Sequence, residues 1–164
     1  MRPDDAGARW VPRQNLHVTL FFLGRVDDPR VAEVSGAIGS AVGGLVDFPL
    51  QLEGLGAFPN PRRARVLWAG LADPAGGLRA LAGAVADALE PLGFAREERA
   101  FRGHVTLARL DRPAPVRLDA SVAPMRFTAD RVILFESRLS RPAPAYAPVA
   151  TFPFHRSAAP PRPD

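Results

Sequence analysis

Apolar positions along this 164-residue chain change their spacing several times, and each change marks an element. Residues 16–23 are apolar or β-branched almost throughout, the pattern of a strand covered on both faces. Alternation places His17, Thr19, Phe21 and Leu23 on one face and Leu16, Val18, Leu20 and Phe22 on the other, with Gly24 ending the run. Asp28-Pro29 then opens a helix, Asp28 as its cap and Pro29 as its first residue. Val31, Val34, Ile38 and Val42 follow at helical spacing until Gly43-Gly44. Phe48, Leu50 and Leu52 alternate as a strand broken at Gly54, residues 56–63 form a turn-rich loop, and residues 65–71 form another strand. Asp73-Pro74 repeats the helix-start device, Leu78, Leu81, Val85, Leu89 and Leu92 supply the buried stripe, and Gly93 closes it. Strands are expected over 101–110, 125–127, 131–139 and 146–154, with a Pro-punctuated connection over 113–124. Residues 1–8 are polar and expected to be loose, and residues 155–164 read as a disordered tail.

This order describes an α+β protein, a single two-lobed domain over residues 1–154. No Gly-rich phosphate loop follows a strand, which disfavours a doubly wound nucleotide fold.

Within the strand pattern one tetrapeptide occurs twice, as His17-Val18-Thr19-Leu20 and as His104-Val105-Thr106-Leu107. The chain has only three histidines and four threonines, so two of the three histidines carry a Thr two residues on. In a strand, positions i and i+2 share a face, so each copy presents one imidazole and one hydroxyl while Val and Leu point the other way. Two such strands can bring two imidazoles to one cleft.

Composition narrows the chemistry. With no cysteine, disulfides, thiol nucleophiles and Cys-ligated zinc are excluded. The formal charge is +4, and all 21 basic residues are Arg, whose planar forks suit phosphate. No apolar run approaches the ~20 residues of a membrane span, and no stretch has the order of a signal peptide, so no membrane partner and a cytoplasmic protein are expected.

Two imidazoles facing one cleft can divide the work of acid and base near neutral pH. The neutral one takes a proton from water and the charged one gives a proton to a leaving oxygen, which suits in-line attack at phosphorus. Thr19 and Thr106 can hold non-bridging phosphate oxygens, and a nearby Arg can stabilise phosphoryl charge. Arg109, three residues beyond Thr106, is one candidate. By strict alternation it points away from His104, so a role at the phosphate needs a bulge; otherwise it is an exposed or paired Arg. A metal site built on His17 and His104 lacks a His-x-x-x-His spacing or a carboxylate cluster, so no metal is expected. His155 has no Thr beside it and reads as structural or surface. Phe58 and Phe101 fit the core or a base-stacking platform; Arg62, Arg63 and Arg65 fit a solvated loop or an RNA backbone guide.

These stretches resemble the 2H phosphoesterase superfamily, and most closely its RNA 2′,3′-cyclic phosphodiesterases, also called 2′-5′ RNA ligases. The resemblance is carried by Trp10-Val11-Pro12, Asn15-Leu16-His17-Val18-Thr19-Leu20, Gly54-x-Gly56-x-Phe58-Pro59, Val66-Leu67-Trp68-Ala69-Gly70, His104-Val105-Thr106-Leu107-Ala108-Arg109 and Leu134-Phe135-Glu136-Ser137-Arg138-Leu139. It implies a bilobal fold in which two antiparallel sheets flank a central cleft with helices outside. It implies a monomeric enzyme without cofactor that hydrolyses RNA 2′,3′-cyclic phosphate ends to 2′-phosphates, the reverse reaction joining ends through a 2′-5′ bond. His17 matches the histidine expected to protonate the departing 3′ oxygen, and His104 the one expected to activate water. Thr19, Thr106 and Arg109 match the phosphate-holding residues. Two other readings use the same residues: a 2H activity on small cyclic nucleotides, and an RNA-binding module without catalysis. Two departures stand out. Gly103 takes the place of a Pro and is expected to loosen the strand entry. The family's strand and helix before Trp10 have no counterpart here, which is expected to expose an edge and apolar surface.

Overall fold

The two stretches with helical spacing form α1, Asp28–Val42, and α2, Gly77–Leu89, in a computed structural model that describes residues 7–118, 125–138 and 145–157. Val34, Ile38 and Val42 of α1 pack with Leu81, Val85 and Leu89 of α2 in one cluster that also takes Val132 and Phe154. Burial of each such side chain contributes about 1.5–3 kcal/mol. No helix among the described residues is long and apolar enough to cross a membrane.

Both helix starts differ in detail from the expected ones. Asp27 rather than Asp28 is the N-cap residue of α1, so Pro29 sits one position further in. At α2 the cap is Gly76, in the left-handed region at φ 71°, and the helix begins after a turn. Asp73 still serves the helix end from a distance, its Oδ2 accepting the Arg79 N–H at 3.0 Å and satisfying a first-turn donor.

The strands are β1 Ala8–Trp10, β2 Phe48–Phe58, β3 Ala64–Ala72, β4 His104–Ala114, β5 Arg126–Ala129, β6 Arg131–Arg138 and β7 Ala145–Pro153. Five form an antiparallel sheet in the order β1-β4-β3-β2-β5, and β6 and β7 form an antiparallel pair. One face of the larger sheet is sealed by Ala57, Leu67, Ala108, Leu110, Ala114 and Val116. The architecture is α+β with two antiparallel sheets, as expected.

Gly54 does not break β2. It takes φ 61° at a register slip between Glu53 and Leu55, and the strand continues to Phe58, absorbing the start of the expected loop. A backbone that only glycine adopts readily lets one strand bend without ending. The segment 16–23 is not a ladder strand. Residues 13–15 form a 3-10 turn, and a single antiparallel bridge, Val18 to Val105, joins the first motif to β4. Nor is it covered on both faces: Leu20, Phe21 and Leu23 pack on the helical core, while Phe22 is 76% exposed. Side-chain packing on this cluster, rather than a ladder of strand pairing, holds the run in place.

At the other end, His155 makes a parallel bridge to Val46, and its Nε2 lies 3.0 Å from the carbonyl of Gly43, at the C-terminal end of α1. The Ser157 N–H donates to Asp47 Oδ1 at 2.8 Å, and the Ser157 side chain, followed by this N–H, holds that carboxyl below its ordinary value. The first residues of the expected tail are thus placed, with His155 and Ser157 held by hydrogen bonds. Its remainder at 158–164, residues 1–6 of the expected loose start, residues 119–124 of the connection and position 139 lie outside the described residues, while Ala8, the end of that start, is not loose but opens β1.

Candidate active site

Strand β1 places the first motif. Ala8, Arg9 and Trp10 pair with Leu110, Arg109 and Ala108 along one edge of β4, and the Val11 N–H continues the edge to the carbonyl of Leu107 at 2.8 Å. Residues 12–17 then bow away through the 3-10 turn, and the chain returns to the same edge where Val18 meets Val105. Around an antiparallel bridge the flanking residues oppose each other in reverse order. His17 therefore lies across from Thr106, and Thr19 across from His104. With both valines on the opposite face, the two imidazoles and two hydroxyls share one face, the histidines on one diagonal and the threonines on the other. Diagonal pairs of this kind have Cβ atoms roughly 7–8 Å apart, a span that admits a phosphate between them.

The two imidazoles are fixed in the same way. His17 Nδ1 lies 2.7 Å from the carbonyl oxygen of Asn15, and His104 Nδ1 lies 2.7 Å from that of Arg102. A carbonyl only accepts, so each Nδ1 carries hydrogen and donates it to the residue two positions back. Nε2 is then the nitrogen that gains or loses the proton in both rings.

Each imidazole also leans on two aromatic rings. His104 meets Phe58 of β2 at 5.1 Å and Trp68 of β3 at 5.9 Å; His17 meets Tyr146 of β7 at 4.8 Å and Phe135 of β6 at 6.0 Å. Each aromatic pair sits diagonally across one antiparallel ladder. One histidine is thereby seated on the large sheet and the other on the small sheet, so the motif face lies at the junction of the two. The Phe58 and Tyr146 contacts are edge-on and the other two tilted, and together they restrict rotation of each imidazole.

Trp68 fits only because Gly56 lies opposite it. A Cβ at Gly56 would stand 2.0 Å from Trp68 Cζ2. Gly56→Ala is therefore expected to displace the indole, costing about 1–3 kcal/mol. In a protein of this size that lowers the unfolding midpoint by roughly 2–10 °C, checked by a thermal melt. Gly103 is likewise filled rather than slack: a Cβ there would approach Leu78 Cδ2 to 2.5 Å, so α2 closes onto the strand entry.

Arg109 is where strict alternation misleads. Trp68 pairs with Thr106, yet Leu67 pairs with Ala108, so Leu107 is an extra residue in β4. This bulge shifts the residues that follow it, Ala108 and Arg109, by one face, before a second irregularity on the way to Ala114. Arg109 opposes Val66, two residues from Trp68, and so joins the face of His104 and Thr106. Beside it, Arg9 pairs with Asp111 at 2.7 Å. Arg109 itself is exposed and makes no ion pair among the described residues. Arg62, Arg63 and Arg65 are exposed toward the other end of β3 from Gly70, the partner of His104. Among the described residues, no three His, Asp or Glu side chains gather as a metal site.

Comparison with known proteins gives these features a family. Residues 2–141 match the model of the 2′-5′ RNA ligase superfamily. The chain is 38% identical over 145 residues to an RNA 2′,3′-cyclic phosphodiesterase of Aeropyrum pernix, covering 83% of this chain and 80% of that one. A relative of the same name from Thermotoga maritima is 31% identical over 144 residues, covering 85% and 76%. Among solved structures, TT0787 of Thermus thermophilus superposes with a TM-score of 0.81 at 28% identity, over 93% of this chain and 85% of that one. E. coli LigT complexed with 3′-AMP superposes with a TM-score of 0.72 at 27% identity, over 90% and 81%. The fold is that of the two-histidine phosphoesterases. The chain belongs to the 2′-5′ RNA ligase superfamily.

Proposed function

We propose that this protein hydrolyses RNA 2′,3′-cyclic phosphate ends to 2′-phosphates, with His17 and His104 as general acid and base. The reading rests above all on the two imidazoles, each with Nδ1 bonded to the carbonyl two residues back and Nε2 left as the proton-carrying atom. The names of the Aeropyrum and Thermotoga relatives support the reaction class. In this scheme water attacks phosphorus, the bond from phosphorus to the 3′ oxygen breaks, and the 2′ oxygen keeps the phosphate. One imidazole takes the proton from water, and the other delivers a proton to the 3′ oxygen on the opposite side of phosphorus. Resemblance to the family assigns the delivering role to His17 and the activating role to His104. Thr19 and Thr106 hold the non-bridging oxygens, each across from the other motif's histidine, and Arg109 balances the phosphoryl charge. Both proton carriers are side chains of the chain itself, so the scheme needs no metal or cofactor. Run in reverse, the same groups join RNA ends through a 2′-5′ bond.

The test is incubation with RNA bearing a 2′,3′-cyclic phosphate, in excess EDTA, followed by identification of the product end. A 2′-phosphate is expected. A 3′-phosphate, or activity that vanishes with EDTA and returns with added metal, would overturn the scheme.

A further inference from the structure

Beside the motif face lies a hollow of about 420 Å³ that the scheme above does not use. It opens next to His104, whose neighbours Arg102 and Gly103 line it together with Trp68 and Gly70. Pockets of a few hundred Å³ take a nucleoside.

Three features define what fits. First, the Arg102 guanidinium lies over the Trp68 ring, 4.7 Å from its centroid, so a planar cation is layered on an indole at the pocket wall beside His104. Such a layer is a stacking platform for a base. Second, Asp73 lines the hollow with a carboxylate that is only half used. Its Oδ2 accepts from Arg79, but Oδ1 is buried without a hydrogen-bond partner among the described residues. A buried carboxylate oxygen without a donor is costly, and a ligand that donates to it relieves that cost. Third, Glu53 and Asp73 offset Arg79 and Arg102 in the lining, so the hollow has no excess of positive charge to draw in a second phosphate.

We infer that this hollow seats the base next to the cyclic phosphate, and that it favours bases with an exocyclic amino group over uracil. The inference rests on the phosphodiesterase reading. The Asp73 carboxylate only accepts, so it matches the amino groups of cytosine, adenine and guanine. Uracil replaces the cytosine amino group by a carbonyl of the same size, which sets two acceptors against each other.

Cytidine and uridine thus make the cleanest comparison, because they differ only at the 4 position, amino against carbonyl, and in the hydrogen that uracil carries on the adjoining N3. Binding of cytidine 2′-phosphate and uridine 2′-phosphate by calorimetry should differ at least tenfold in favour of cytidine. The same preference should appear in turnover of the two 2′,3′-cyclic phosphates, mainly in KM, because the contact is equal in ground and transition states. Asp73→Asn keeps an oxygen for the Arg79 N–H and adds a donor, so the cytidine-to-uridine ratio should fall to about one or reverse. That ratio is measured within one protein preparation, so a misfolded fraction cancels. Arg102→Ala should weaken all bases together, by roughly five- to a hundredfold. Equal binding of the two nucleotides by the wild type, or an unchanged ratio in Asp73→Asn, overturns the base pocket. Selective binding without turnover of either cyclic phosphate supports the pocket and overturns the phosphodiesterase reading instead.

Discussion

Replacing His17 or His104 by Ala is expected to lower turnover of a 2′,3′-cyclic phosphate end by about 10²–10⁴-fold in each case, the usual contribution of a positioned acid or base. Both residues carry the loss because both present Nε2 to the same face, fixed by the Asn15 and Arg102 carbonyls. The double variant should fall little below the poorer single one, because acid and base serve one transition state and such effects do not add. Neither ring belongs to a buried cluster, so unfolding midpoints should move by only a few degrees. Wild-type turnover in either single variant would remove that histidine from the chemistry.

Arg109→Ala should cost roughly ten- to a hundredfold in kcat/KM, the range of a charge-assisted hydrogen bond to a phosphate. The expectation follows from the bulge at Leu107, which turns Arg109 onto the face of His104 and Thr106. Arg109→Lys should recover only part of the loss, because a single ammonium replaces the two-pronged guanidinium. Arg109 is exposed and outside the buried clusters, so thermal stability should be unchanged in both variants. Arg109→Ala with wild-type kcat/KM would return the residue to ordinary surface.

What the sequence made legible was whatever local periodicity controls. The buried stripes Val34-Ile38-Val42 and Leu81-Val85-Leu89 were readable because helical spacing fixes one apolar face. The repeated His-x-Thr was readable because a shared face needs only a two-residue period. Features that depend on a partner strand were not. Leu107 looks like any apolar residue of its run, and only the register against Leu67 and Trp68 makes it a bulge. The 16–23 run reads as a strand, yet only Val18 finds a bridge, while Leu20, Phe21 and Leu23 are held by side-chain packing on the cluster between α1, α2 and β6. Backbone carbonyls leave no signature either, so Asn15 and Arg102 as holders of the two imidazoles could not be read from residue type. Tyr146 and Trp68 as ring supports likewise depend on which strands come together.

The central claim is that two imidazoles, each working through Nε2, share one proton-transfer cycle as acid and base. The pH dependence of kcat/KM tests it most directly, measured on one RNA cyclic phosphate for the wild type, His17→Ala and His104→Ala. A bell is expected for the wild type, because one ring must be charged while the other is neutral. Each variant should lose one limb of the bell, and the two should lose opposite limbs. A bell preserved in both variants, or the same limb lost from both, would contradict the account.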